Sequence, residues 1–112
     1  MDAFGILLLR RAQSILREYG WRRNGTPVTP ARPFDLLDAL CAAVMEEEGG
    51  TEEQATLSSY LVPVRWAIRQ RLGHDDAIIV WDRNHSIGTE DVLDLLDEAV
   101  SICRSGTVLT SV

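Results

Sequence analysis

The stretch Ile78-Ile79-Val80-Trp81-Asp82-Arg83-Asn84-His85, followed after three residues by Thr89-Glu90-Asp91-Val92-Leu93-Asp94-Leu95-Leu96-Asp97-Glu98-Ala99-Val100, decides the fold. Its second half has a helical period: Val92, Leu95, Leu96, Ala99, Val100 and Cys103 fall on one face, Asp94, Asp97 and Glu98 on the other. Thr89 is of the type that caps a helix start through its hydroxyl, and Glu90 and Asp91 complement the positive helix end. The first half is an apolar run ending in a polar turn. It reads as an irregular loop or short strand that buries Trp81 as its anchor before the last helix.

Outward from this stretch, three more amphipathic segments appear. Phe4, Leu8, Ala12, Ile15, Leu16 and Tyr19 share a face opposite Arg10, Gln13 and Arg17, and Gly20 is placed to end that helix in a left-handed conformation. Residues 22–33, with Asn24-Gly25 and prolines 27, 30 and 33, read as a turn and an extended loop. A second helix starts near Pro33 and buries Phe34, Leu37, Leu40, Cys41, Val44 and Met45, with Asp35 and Asp38 in its first turn. Glu46-Glu47-Glu48 before Gly49-Gly50 marks its end, where three carboxylates oppose the helix dipole.

Thr51-Glu52-Glu53-Gln54 has the form of a capping box and opens a third helix. Leu57, Leu61, Val64, Ile68 and Leu72 keep helical phase through Pro63, so the helix either kinks there or breaks and restarts with Pro63 in its first turn, and Gly73 closes it. Trp66 lies almost opposite this stripe, and Ile6 and Leu36 also fall outside theirs. Trp66 therefore packs under the 22–33 loop or stands at the surface as an interface anchor.

These elements predict one all-α domain over residues 1–112, a bundle of about four helices. The alternative is an α+β variant in which Ile78-Ile79-Val80 pairs with Thr107-Val108-Leu109. An apolar fraction of 46% and a charged fraction of 25% suit a soluble globular chain. No apolar run approaches the roughly 20 residues of a membrane span, and Ile6 to Leu9 lacks the flanks of a secretory signal, which predicts a cytoplasmic protein with no membrane contact. All eleven basic residues are arginine, which points to a GC-rich coding genome rather than to selection of guanidinium at every site. Cys41 and Cys103 sit on apolar helix faces and read as small buried thiols, without the paired spacing of a zinc site.

The segment from Gly20-Trp21 back through the first helix, together with Val80-Trp81-Asp82 and Thr89-Glu90-Asp91-Val92-Leu93-Asp94-Leu95-Leu96, resembles a family of small, functionally unassigned proteins of actinobacteria and their phages, classed as a domain of unknown function. The likeness covers residues 10–21 and 78–100. Members of that family tend to carry Trp-Asn-Asp where this chain has Trp81-Asp82-Arg83, and a Cys-x-x-Gly-Ala opening to the second helix where this one has Phe34-Asp35-Leu36-Leu37-Asp38-Ala39. The resemblance implies a compact, mostly helical domain and transfers no activity.

His74-Asp75-Asp76 with Asp82 and His85 is the one polar cluster of catalytic residue types. The apolar run 77–81 divides it, and no phosphate cradle or nucleophile–base spacing accompanies it. It reads as a solvated turn, with Asp82 and Asn84 capping backbone groups. We therefore expect no enzyme activity, no bound metal and no cofactor.

Charge is segregated: residues 1–33 hold six arginines and two acids, residues 34–56 seven acids and no base, residues 57–73 three arginines, and residues 74–112 eight acids and two arginines. Asp94, Asp97 and Glu98 give the last helix an acidic outer face suited to a basic protein patch. With Trp66, they are the candidate partner-binding residues of a small protein-binding or regulatory module, with a homodimer as one form. The alternative function is nucleic-acid binding through Arg10, Arg17, Arg22, Arg23 and Arg32, with Trp21 stacking on a base. A net charge of −6 and a pI near 4.8 weigh against nucleic acid.

Overall fold

The computed structural model describes residues 3–22 and 34–105. The elements of the described residues are all helices: α1 Ala3–Tyr19, α2 Leu36–Glu48, α3 Glu52–Thr56, a 3-10 turn Ser59–Leu61, α4 Val62–Leu72, α5 Ile78–Asn84 and α6 Thr89–Ser105. The four long helices α1, α2, α4 and α6 correspond to the four expected. Their lateral order is α2, α1, α6, α4, and short α5 touches both α2 and α4, closing the bundle across its outer pair.

Burial follows from that order. Helix α6 packs on α1 and α4 together, so its buried face widens beyond the expected stripe to include Leu93 and Ile102 beside Val92, Leu95, Leu96, Ala99, Val100 and Cys103. Each such leucine contributes roughly 1.5–3 kcal/mol when fully taken from water. Helix α1 buries Leu8, Leu9, Ala12, Ile15 and Leu16. Phe4 and Tyr19, expected on the same face, lie at its ends and stay partly exposed, each against another ring: Phe4 on Tyr60 at 5.2 Å and Tyr19 on Phe34 at 5.5 Å, both edge-to-face. Gly20 closes α1 with φ 87° and donates to the Leu16 carbonyl at 2.9 Å.

The start of α2 differs from the expectation. It begins at Leu36, with Asp35 as its cap: Asp35 accepts from the Asp38 amide at 2.7 Å, and Asp38 accepts from the Asp35 amide at 3.4 Å. Phe34 precedes the helix. Its amide donates to Gly20 O, and Arg22 N donates to Phe34 O, both at 2.9 Å, forming an isolated parallel bridge between Trp21 and Phe34. Leu36, read as off its stripe, is fully buried. The three glutamates at the end of α2 are tolerated in part because Glu46 meets Arg11 of α1, at 2.8 and 3.0 Å.

The helix expected from residue 51 to 72 breaks and restarts. Thr51 and Gln54 form the capping box of α3, but α3 stops at Thr56; Ser58 then caps the 3-10 turn, and α4 opens with Pro63 in its first turn. The break leaves Leu57, assigned to the core stripe, 86% exposed. A second correction concerns 78–84, which is helix rather than loop or strand. Ile78, Trp81 and Asp82 fall at helical spacing and all three are buried, so packing overrides the strand preference of the β-branched run. The other half of the proposed strand pair, 107–109, lies outside the described residues. Helix α6 starts at Thr89, with Gly88 O accepting from Val92 N, so Gly88 occupies the cap position expected for Thr89.

Candidate functional site

The loosely grouped catalytic residue types are dispersed. Asp82 is fully buried, Asp75 pairs with Arg65 at 3.0 Å, Asp76 accepts from the Ala77 amide at 2.9 Å, and His74 and His85 are exposed. Among the described residues no three His, Cys, Asp or Glu side chains are grouped to hold a metal ion.

Asp82 does cap a backbone group, but from the inside of the fold. Its Oδ2 accepts from Leu36 N, the first amide of α2, at 3.1 Å; its Oδ1 accepts from Trp21 Nε1 at 3.0 Å and from Ser86 Oγ at 3.1 Å. One carboxyl thus ties the end of α1, the start of α2 and α5 into a clasp. Burial pushes its pKa up, against the lowering effect of its three hydrogen-bond donors. Asp38 is also raised, first by burial and then by the neighbouring Asp35.

Among the described residues, most of the N-terminal arginines are engaged within the chain. Arg10 binds Asp97 at 2.7 Å and Gln13 at 2.8 Å, Arg22 meets Asp38 at 3.4 Å, and Trp21 directs its indole N–H to Asp82. Arg17 stands exposed on α1, while Arg23 and Arg32 lie outside the described residues. The acidic face of α6 is likewise partly neutralised within the chain. Asp97 accepts from Gln13 Nε2 at 2.8 Å as well as from Arg10, and these two donors hold its carboxyl below the usual range. Glu98 accepts from Arg71 at 2.6 Å, and the same guanidinium reaches Asp91 at 3.1 Å and lies 5.6 Å from the Trp81 ring centre. Asp94 remains exposed.

Trp66 is half-buried on the outer face of α4, within a feature that sequence reasoning missed. Val62, Arg65, Trp66, Arg69 and Asp75 line a cleft of about 250 Å³. Val62 and Arg65 also line the adjoining cleft of about 390 Å³, whose apolar walls include Leu37, Leu57, Leu61, Ile78 and Ile79. The two form one continuous groove between the α3–α4 break and the start of α5. The Arg69 guanidinium lies 5.0 Å over the Trp66 ring centre. Leu57 and Ile79, 86% and 37% exposed, supply apolar surface at its edge. The loop 23–33, the other expected neighbour of Trp66, lies outside the described residues. Ser58-Ser59 ahead of Pro63 was the available signal: a serine-capped turn there takes Leu57 out of phase with α4.

A helical bundle clasped by one buried carboxylate and grooved along α4 is the class that fold and site define. The chain belongs to the DUF6197 family, a family of unknown function, whose profile matches residues 6–101 and so takes in both clasp and groove. Searches of the curated proteins and of the solved structures each find no match. No helix among the described residues is long and apolar enough to cross a membrane.

Proposed function

We propose that the protein is a small non-enzymatic module that binds another protein through the groove along α4, with Trp66 lining its narrower end. The observation that carries this reading is a grouping: Leu57, 86% exposed, and Ile79, 37% exposed, border one cleft with Leu37, Leu61 and Ile78, so the apolar surface there is a patch that a partner can cover and not a lone side chain. Large apolar and aromatic side chains with arginine beside them are the usual composition of an interface centre. Asp94, Asp97 and Glu98 take a lesser part. Two of these three acids already bind arginines of the same chain, which weakens their pull on a basic partner.

The nucleic-acid reading has less support, because Arg10, Arg22 and Trp21 are engaged internally and the net charge is −6. A regulatory adaptor in the cytoplasm of an actinobacterium or its phage fits the arginine-only basic residues and the family resemblance. The test is affinity capture from such a host with wild type and Leu57→Glu in parallel, with light scattering on both. A protein, or a second copy, retained by wild type and lost with Leu57→Glu supports the reading. Equal retention by both, or recovery of nucleic acid with a steep salt dependence, overturns it.

A further inference from the structure

Resting on the protein-binding reading, we infer that the groove accepts a peptide segment of one chemistry: an apolar anchor residue with a carboxylate about 10 Å away. The anchor's place is the wider cleft, where Leu37, Leu57, Leu61, Val62, Ile78 and Ile79 offer apolar walls. The carboxylate's place follows from α4. Val62, Arg65, Trp66 and Arg69 are spaced i, i+3, i+4, i+7, so they share one helix face, and at about 1.5 Å per residue Arg69 stands about 10 Å along the axis from Val62.

Charge complementarity sets the sign of the partner. The groove carries Arg65 and Arg69 against Asp75 alone, in a chain whose net charge is −6. An acidic segment is therefore repelled by most of the surface and drawn to this one strip, whereas a basic segment has many competing places to rest. Both cations are available for exchange. The Arg65–Asp75 pair is more than half exposed on both sides, the kind of ion pair that contributes little and gives way to a better-placed carboxylate. Arg69, with its Cζ 5.0 Å from the Trp66 ring centre, forms no ion pair among the described residues, and its planar fork suits a carboxylate in bidentate geometry. In a helical partner the anchor and acid stand about seven residues apart, and in an extended one about three, from the rise per residue of each form.

The experiment is a selection from a random twelve-residue peptide display library on the immobilised full chain, with Leu57→Glu as counter-target, followed by synthesis of the enriched peptides. Leu57 is exposed, so Leu57→Glu blocks the groove without touching the core. The expected peptides pair an apolar residue with Asp or Glu at one of those spacings, shift the Trp66 indole resonance, and bind about threefold to tenfold more weakly to Arg65→Gln/Arg69→Gln but not to Arg17→Gln. Peptides that depend on Leu57 but are neutral or basic overturn the charge inference and leave the groove reading standing. If no enriched peptide is lost on Leu57→Glu, both fail.

Discussion

Replacing Asp82 with alanine strips three donors of their common acceptor: Leu36 N at 3.1 Å, Trp21 Nε1 at 3.0 Å and Ser86 Oγ at 3.1 Å. A buried donor left unmade costs about 1–3 kcal/mol. Leu36 is fully buried and bears that cost in full, half-buried Trp21 bears part of it, and Ser86 keeps its bond to the Asp82 carbonyl. Release from burying the carboxylate offsets some of this, so the net loss is about 2–3 kcal/mol from a total of roughly 5–15 kcal/mol. At about 4–8 °C per kcal/mol for a domain of this size, Asp82→Ala lowers the melting temperature by roughly 10–20 °C. Asp82→Asn keeps one acceptor oxygen and falls in between. The pH dependence carries the sharper test. Because the folded pKa of Asp82 is raised above its ordinary 3.8, the folded state binds the proton more tightly than the unfolded one. Asp82 therefore adds stability below the unfolded pKa and loses it as pH rises through the folded pKa. The gap between wild type and Asp82→Asn should widen as pH is lowered from neutrality toward 3.8, while the acid-sensitive pairs of Glu46 and Asp97, whose pKa values are lowered, act alike in both proteins and cancel. Thermal unfolding followed by circular dichroism across that range measures it. A gap that stays constant or narrows toward acid refutes the reasoning.

Gln13 is fully buried and donates to Leu93 O and Asp97, so Gln13→Leu should cost about 1 kcal/mol and raise the Asp97 pKa toward its ordinary value, read by NMR titration of the Asp97 carboxyl; an unmoved titration contradicts the assignment. Cys41 is buried, which pushes its thiol up to about 11, and Cys103 is buried too. Both should react with a thiol reagent at about pH 8 only after denaturant is added, and rapid labelling of the native protein would contradict their placement. Gly73 closes α4 at φ 81°, and a methyl group there would meet no atom within 4 Å, so Gly73→Ala incurs only backbone strain, about 1 kcal/mol, measurable as a shift in the urea midpoint.

The long helices were legible because their burial is one-sided. Leu8, Ala12, Ile15 and Leu16, or Val92, Leu95, Leu96 and Ala99, repeat at helical spacing against charged partners, and a periodic pattern reports that contrast directly. Helix α5 was hidden because its inward face includes Asp82, a charge that periodicity assigns to solvent, beside β-branched residues that prefer strand. The same substitution of hydrogen bonding for hydrophobicity misplaced Gln13, read as surface and found buried against α6. Of the candidate partner residues, Trp66 was singled out by its position off the stripe. Its surroundings were not, because the groove is assembled from α3, α4 and α5 around a break that the phase of Leu57, Leu61 and Val64 conceals.

The clasp has a bearing on how the chain tolerates lengthening. Gly20, Trp21 and Arg22 are joined to Phe34 and Leu36 by two backbone hydrogen bonds and by the shared carboxyl of Asp82, which belongs to neither segment. The two ends of the 23–33 connection are therefore held together by groups outside it. Each doubling of the length of a connection between fixed ends adds only about 0.6 kcal/mol of closure entropy. Residues inserted between Asn24 and Gly25 should leave the junction of α1 and α2 in register, making this the natural position for a reporter peptide or a grafted recognition loop.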